Sequence, residues 1–202
     1  MTCRNAKKDA QTLSAFAVWL GQQGGISPPE AAEACRSAGV VHAGAGDGIF
    51  SAGETPGFLY FVRSGLVRFY YLTADGKEFN KSFATPGGVV TCLSSFLEGA
   101  PSSFHTQALE DTELVALPME LARQLPARDR AWERLISTVI AQLALRKERR
   151  EAAFLLQSAS ERYEAFLREF PEVAQRLPQY HVASYLGITP VALSRIRARR
   201  GS

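Results

Sequence analysis

Between residues 41 and 118 the chain consists of short runs rich in aromatic and β-branched residues, separated by turns that contain glycine. The runs include FLYFVRSG, LVRFYYL, EFNKSFA and ELVALP, and the separators include Ser64-Gly65, Asp75-Gly76 and Pro86-Gly87-Gly88. Such runs predict β-strands, and Asp-Gly between two of them predicts a tight hairpin. Short strands interrupted at regular intervals are typical of an antiparallel sandwich or barrel, and we expect a jelly roll.

Helical patterns flank this region on both sides. Residues of about 10–40 predict two helices, the second opened by Pro28-Pro29-Glu30, and Ser158 or Ser160 is placed to cap a later one. A longer helix is predicted from about Arg128 to Leu156, with one apolar stripe of Trp132, Ile136, Val139 and Leu143. From these residues alone, the stripe fits a helix packed on its own domain as well as it fits a dimerisation helix.

The C-terminal stretch HVASYLGITPVALSRIRARR predicts two short helices joined by a tight turn. Gly187 is placed to end the first helix, Thr189 to cap the second, and Pro190 to occupy its first position. Small and apolar residues between them complete the pattern of a helix-turn-helix. The second helix fits the major groove of DNA, and its predicted DNA-binding residues are Thr189, Val191, Ser194, Arg195, Arg197, Arg199 and Arg200.

The charge of the chain supports this interpretation. Of its 202 residues 46% are hydrophobic and 21% charged, as in an ordinary globular protein, and the net charge is +3. Residues 1–157 carry 16 basic and 16 acidic residues, whereas residues 158–202 carry seven basic and four acidic ones. After Glu172 there are five arginines and no acid, which favours a polyanionic partner over a merely solvated face.

Other classes of function find little support in the sequence. The three cysteines and three histidines lie far apart, at Cys3, Cys35, Cys92, His42, His105 and His181. We therefore expect no disulfide framework, no metal site and no cofactor. There is no nucleophile–base pair with supporting spacing and no glycine-rich phosphate loop, so we do not expect an enzyme. No apolar run reaches membrane length and no signal-peptide pattern begins the chain, which predicts the cytoplasm.

Over about residues 14–200 the sequence resembles the Crp/Fnr family of bacterial transcription regulators. GFLYFVRSGLVRFYYLTADGKEF is similar to the cyclic-nucleotide-binding-like barrel of the family, and ERYEAFLREFPEVAQRLPQYHVASYLGITPVALSRIR resembles its DNA-binding domain. The resemblance implies a sensor domain over 1–127, a dimerisation helix or linker over 128–157, and a helix-turn-helix domain over 158–202. It also implies a homodimer on a two-fold site in double-stranded DNA and contact with RNA polymerase.

The sequence departs from the family where the effector pocket is expected. Members that bind cyclic AMP have a Gly-Glu-Leu motif and an Arg-Ser pair, which become Thr91-Cys92-Leu93 and Ser102-Ser103 here. The implied pocket residues are then Val90, Thr91, Cys92, Leu93, Ser102 and Ser103. Because an unpaired phosphate in a pocket is costly, cyclic AMP is not expected as the effector. The apolar lining, which includes Phe83 and Phe104, fits either an apolar ligand or a pocket filled by its own side chains.

Two further departures affect cofactors and DNA reading. The cysteine cluster of iron–sulfur members is absent, His42 and His105 do not support haem ligation, and Cys92 is interpreted as a buried apolar residue rather than a redox sensor. In the recognition helix, Arg195 matches an arginine of the family, but Val191 replaces the usual glutamate. The alternative is therefore a small-molecule sensor or protein-interaction module that has lost specific DNA binding. The C-terminal arginines argue against that alternative.

Overall fold

The computed structural model describes residues 3–200, with the side chains of residues 6–199. Two helices begin the chain, α1 (Cys3–Gly24) and α2 (Pro28–Ser37), as the sequence predicts. Helix α2 begins at its two prolines, and the backbone N–H of Ser27 donates to the Glu30 carboxylate over 3.2 Å. The remaining helices are α3 (Leu93–Glu98), α4 (Met119–Arg128), α5 (Arg130–Leu156), α6 (Ala159–Glu169), α7 (Val173–Arg176), α8 (Gln179–Leu186) and α9 (Pro190–Arg200).

Within residues 3–200, eight strands form two sheets. They are β1 (Gly39–Ala43), β2 (Gly48–Phe50), β3 (Phe58–Ser64), β4 (Val67–Leu72), β5 (Glu78–Ala84), β6 (Val89–Val90), β7 (His105–Ala108) and β8 (Thr112–Pro118). One sheet has the order β1-β8-β3-β6 and the other β2-β7-β4-β5. Strand β8 pairs antiparallel with both β1 and β3, while β7 pairs antiparallel with β2. The antiparallel jelly roll predicted from the sequence is confirmed.

Two glycine turns fix the strand ends that the sequence marks. At Asp75-Gly76 the chain reverses from β4 into β5, and the Thr73 N–H donates to the Lys77 carbonyl over 3.0 Å. At the Ser64-Gly65 corner, Gly65 has φ +94°, and a Cβ there would lie 2.8 Å from the Asp111 carbonyl oxygen. Only glycine fits both constraints, because other residues disfavour positive φ and would clash.

The interior of the barrel is filled by its own side chains. Phe104 lies between Phe50 and Phe69, with ring centroids 5.8 and 5.9 Å away. Around these rings pack Val62, Val67, Ala84, Val90, Cys92 and Leu114, all buried.

A second core lies where α1, α2, α4 and the first turns of α5 meet the β3–β8 sheet. Trp132 is only 3% exposed here and packs with Leu135. Gly24 approaches so closely that a Cβ on it would lie 2.9 Å from the Leu135 Cβ. This burial leaves Trp132 little surface to offer to a second chain.

The chain divides into two compact units. The first contains residues up to Phe69 together with Phe83–Ile140. The second contains Tyr70–Ser82, which is the turn of the β4–β5 hairpin with the adjoining parts of both strands, together with the chain from Ala141 onward. The hairpin and the C-terminal helices are therefore parts of one unit, although the sequence separates them widely.

Candidate nucleic-acid interface

Helices α8 and α9 form the helix-turn-helix that the sequence predicts. Gly187 ends α8 with φ +68°, and its N–H donates back to the Ala183 and Ser184 carbonyls. The Thr189 hydroxyl accepts the N–H of Ala192 over 3.2 Å, which caps α9, and Pro190 is its first residue. The expected helix end, cap and first position are thus all observed.

One side of α9 anchors the helix and the other is exposed. Leu193 is 0% exposed, and Ile188 and Ile196 are half-buried beside it. Val191 is 61% exposed, and Ser194 and Arg195 are exposed as well. At about 100° per residue these three lie on one face, roughly opposite Leu193. This is the face that a recognition helix turns toward base edges.

The other predicted DNA-binding residues lie around this face. Thr189 is exposed at the start of α9, where it acts as the cap. Arg197 and Arg199 are exposed, but Arg197 is about 120° around the helix from Val191. The side chain of Arg200 lies outside the described residues. The position of Arg197 suits a backbone phosphate better than a base edge.

Three arginines of α9 are available to an external anion. Among the described side chains, Arg195, Arg197 and Arg199 make no hydrogen bond or ion pair. No acid is present after Glu172, so the surroundings of α9 carry no competing carboxylate from that segment. Guanidinium groups in this state can bind phosphate or a guanine edge with two hydrogen bonds.

The β4–β5 hairpin is hydrogen-bonded to α8 through residues that the sequence analysis does not identify. The Asn80 N–H donates to the Ser184 hydroxyl over 2.9 Å, and that hydroxyl donates to the Glu78 carbonyl. The Asn80 amide donates to the His181 carbonyl over 3.0 Å. Asn80 and His181 are both buried. These bonds fix the orientation of α8 relative to the hairpin.

Arg150 of α5 completes this support. Its guanidinium donates to the Asn80 carbonyl over 3.0 Å and to the Tyr185 carbonyl over 2.8 Å. It also lies 4.0 Å from the centre of the Tyr185 ring and 4.7 Å from that of Phe154. Burial lowers the pKa of Arg150 from its very high ordinary value, but an arginine stays protonated under these conditions.

Tyr185 and Phe154 tie the turn to the same cluster. Burial, and next the nearby Glu169 carboxylate, raise the pKa of Tyr185, whose hydroxyl donates to that carboxylate over 3.4 Å. A Cβ on Gly187 would lie 2.6 Å from the Phe154 ring. The turn glycine is therefore required both by its backbone conformation and by the close approach of α5.

The implied effector-pocket residues gather at the start of α3, but not as an open polar site. Val90, Thr91, Cys92 and Ser102 are buried, Leu93 is half-buried and Ser103 is exposed. The Ser102 hydroxyl donates to the Phe104 carbonyl over 2.8 Å. None of the six positions carries a carboxylate or a guanidinium. They provide no counter-charge for a cyclic phosphate.

Two polar features remain in this cluster. Burial raises the pKa of the Cys92 thiol, but hydrogen bonds with Ser94, Ser95 and Ser102 outweigh it and leave the pKa below its ordinary value. Cys92 is only 1% exposed, which agrees with its interpretation from the sequence as a buried residue. Among the described residues, the buried Thr91 hydroxyl has no hydrogen-bond partner in the protein.

The stripe on α5 changes character along its length. Trp132 belongs to the second core, and Ile136 and Val139 are half-buried against that core. Leu143 is half-buried one turn beyond. Ile136, Val139 and Leu143 therefore keep part of their apolar surface exposed on one helix face.

Metal and membrane sites find no support in the described part of the chain. Between residues 3 and 200, His, Cys, Asp and Glu side chains nowhere gather in threes, as a bound metal ion would require. None of the helices described combines the length and the hydrophobicity of a membrane span.

A barrel of the cyclic-nucleotide-binding type, followed by a helix-turn-helix with an exposed basic face, defines a class of regulatory protein. The family description "Cyclic nucleotide-binding domain" matches residues 40–129. The transcriptional regulatory protein btr of Bordetella pertussis is 30% identical over 158 residues, 71% of this chain and 63% of that protein. The transcriptional activator protein anr of Pseudomonas aeruginosa is 30% identical over 166 residues, 76% of this chain and 67% of that protein.

A solved structure has the same fold. The structure of FixK2 from Bradyrhizobium japonicum superposes with a TM-score of 0.69 and 24% identity, over 80% of this chain and 83% of that one. The chain belongs to the Crp/Fnr family of transcription regulators. It spans 62–63% of the length of several curated relatives that it matches.

Proposed function

We propose that the protein is a homodimeric, sequence-specific DNA-binding transcription regulator of the Crp/Fnr type. The observation that carries this proposal is the exposed face of α9, where Val191, Ser194 and Arg195 stand opposite the buried Leu193. Arg195 is the base-reading residue, because a bidentate arginine–guanine pair gives about 1–3 kcal/mol of discrimination. Thr189, Arg197, Arg199 and Arg200 contribute phosphate contacts, which add affinity without sequence information.

The dimer interface in this proposal is the exposed part of the α5 stripe, at Ile136, Val139 and Leu143. Two-fold symmetry then makes the same patch of both subunits meet. The two recognition helices would enter successive major-groove faces about 34 Å apart, so the operator is a pseudo-palindrome. The division into a sensor (1–127), a dimerisation helix (128–157) and a DNA-binding domain (158–202), and contact with RNA polymerase, belong to the same proposal.

The sensor pocket is degenerate in this proposal. Support comes from the filled barrel around Phe104 and from the uncharged Thr91, Cys92 and Ser102. Cyclic AMP in the usual mode is then not an effector. Titration of the protein with cyclic AMP in a calorimeter tests this, and saturable micromolar binding would contradict it.

The decisive experiment is selection of random duplex DNA by the purified, ligand-free protein at physiological salt. We expect a two-fold motif that is lost for Arg195→Ala. Arg36→Ala is the matched control, because Arg36 is also exposed on a helix but lies in α2. Arg197→Ala should weaken binding to all sequences equally and reduce the dependence on salt.

The outcomes separate the two candidate functions. A two-fold motif that Arg195→Ala leaves unchanged would contradict the assigned role of Arg195. Recovery of no motif, with or without a small-molecule cell extract, would favour the alternative of a sensor or interaction module without specific DNA binding. The exposed Val191, in place of the usual glutamate, is the feature that supports that alternative.

A further inference from the structure

A groove of about 880 Å³ lies in the second unit between the C-terminal half of α5, helix α6 and the end of α8. Its volume is in the range of small-molecule sites. Its lining contains five arginines, Arg146, Arg149, Arg150, Arg162 and Arg168, and one acid, Glu169. The concave surface therefore carries an excess of positive charge.

Two of these arginines donate hydrogen bonds to backbone carbonyls of the protein. Arg150 donates to the Asn80 and Tyr185 carbonyls. Arg162 donates to the Leu186 carbonyl over 3.2 Å and to the Gln157 carbonyl over 2.7 Å. Both carry a positive charge into the wall of the groove without needing an external partner.

The other three are not held in this way. Arg146 is 3.9 Å from Glu169, at the outer limit of an ion pair. Arg149 on α5 and Arg168 on α6 are exposed, and neither has a hydrogen bond or ion pair with any described residue. They stand on the two helices that form the walls, so each wall presents a guanidinium group that can bind an anion in the groove.

The groove also has an apolar part. Leu145 is 47% exposed and Leu156 is 84% exposed, and both line it beside Phe154. A ligand that carries only phosphate would leave this surface uncovered. A ligand with phosphates at one end and a planar, weakly polar group at the other matches both parts.

Arg149 lies on a different face of α5 from the proposed dimer stripe. Arg149 follows Leu143 by six positions, so it lies about 120° around α5 from the stripe. A second subunit on Ile136, Val139 and Leu143 therefore leaves the face of Arg149 open.

We propose that this groove binds a phosphorylated small molecule of the nucleoside polyphosphate class, with Arg149 and Arg168 holding the phosphates. A bound ligand would join α5 to α6, next to the Arg150 cluster that orients α8. An effect on DNA reading rests on the proposed function, whereas ligand binding does not. Direct contact with DNA phosphate is the competing role, and the concave shape with its apolar part favours the small molecule.

The test measures binding of ATP, pyrophosphate and adenosine to the full chain by calorimetry. We expect ATP to bind more tightly than pyrophosphate, and adenosine to bind far more weakly than either. The double variant Arg149→Gln/Arg168→Gln should lose roughly tenfold or more in ATP affinity, because two charge-assisted contacts are removed. The control Arg36→Gln/Arg63→Gln removes two exposed arginines outside the groove and should bind ATP as the wild type does.

Three results would overturn the proposal. One is equal ATP affinity of the wild type and the Arg149→Gln/Arg168→Gln variant. Another is the absence of saturable ATP binding to the wild type. The third is that the groove variant, without ligand, loses DNA affinity as steeply as Arg195→Ala, which would make these arginines DNA contacts. Because the titration contains no DNA, failure of DNA binding leaves the test of this site intact.

Discussion

Replacing Arg150 by methionine should loosen the helix-turn-helix while leaving the barrel intact. Methionine keeps the apolar stem of arginine and can still pack on Phe154 and Tyr185, but it cannot donate hydrogen bonds. The substitution leaves the Asn80 and Tyr185 carbonyls without the donors they have at 3.0 and 2.8 Å. It also removes the guanidinium from the two aromatic rings.

The magnitude follows from these contacts. A hydrogen bond from a charged group contributes about 1.5 kcal/mol or more when buried. We use about 1 kcal/mol for each one here, because Arg150 is only half-buried. Each cation–π contact contributes about 0.5 kcal/mol at a partly exposed site. The expected loss is therefore about 3 kcal/mol in the stability of the second unit.

The assay has to report on that unit. Trp19 and Trp132 are the only two tryptophans of the chain, and both belong to the first unit, so tryptophan fluorescence would miss the effect. Amide hydrogen exchange followed by mass spectrometry resolves the units. We expect peptides from α8 to exchange about a hundredfold faster in the variant, as about 3 kcal/mol of local opening implies, and peptides from β8 to be unchanged.

The adjacent residue provides the control. Arg149 has the same charge and the same helix but is exposed, with no hydrogen bond or ion pair among the described side chains. Arg149→Met should leave exchange in α8 within a few-fold of the wild type. Equal exchange in α8 for Arg149→Met and Arg150→Met would refute the reasoning, because the contacts of Arg150 would then add nothing to stability.

Gly187→Ala should destabilise the protein by more than the roughly 1–2 kcal/mol that a positive φ costs, because the added Cβ would meet the Phe154 ring. Gly25→Ala is the control: Gly25 has φ +65° and open space around it, so the substitution should cost only the backbone strain. Urea unfolding compares the stability of the two variants. Ser158→Ala removes the N-cap of α6 and should cost about 1 kcal/mol. The Ser158 hydrogen bonds hold the pKa of Glu161 below its ordinary value, so their contribution is present at neutral pH, and the gap between the two proteins should narrow as pH falls through that lowered pKa. Leu143→Arg should convert the proposed dimer into a folded monomer, which light scattering during gel filtration would detect. A dimer that persists would mean that Leu143 is not at the interface.

Local signals in the sequence were sufficient for the β4–β5 turn and for the helix-turn-helix, whereas helices α3 and α4 were not predicted. Asp75-Gly76, Gly187 and Thr189-Pro190 each act through their own backbone, and the structure has the predicted turn, helix end and cap at these positions. Such features depend on a few neighbouring residues, so one sequence is enough to read them.

The support of α8 could not be predicted, because it depends on contacts between distant residues. Asn80 and His181 are 101 positions apart, and Asn80 and Arg150 are 70 apart. In the run RKERRE, Arg149 and Arg150 look alike, yet one is exposed and the other is held by two carbonyls and two rings. Only the tertiary packing separates them. The same holds for the α5 stripe, where Trp132 is buried and Leu143 is not.

Because the hairpin supports α8, the C-terminal helices depend on residues encoded far upstream of them. A genetic exchange that joined residues 158–202 to a foreign barrel would bring Ser184 and His181 without Asn80, Glu78 or Arg150. The transplanted helices would keep their own core around Leu193 but lose the polar bonds that orient them. Recombination within such a lineage is therefore constrained, and the hairpin, the end of α5 and helix α8 should change together rather than one at a time.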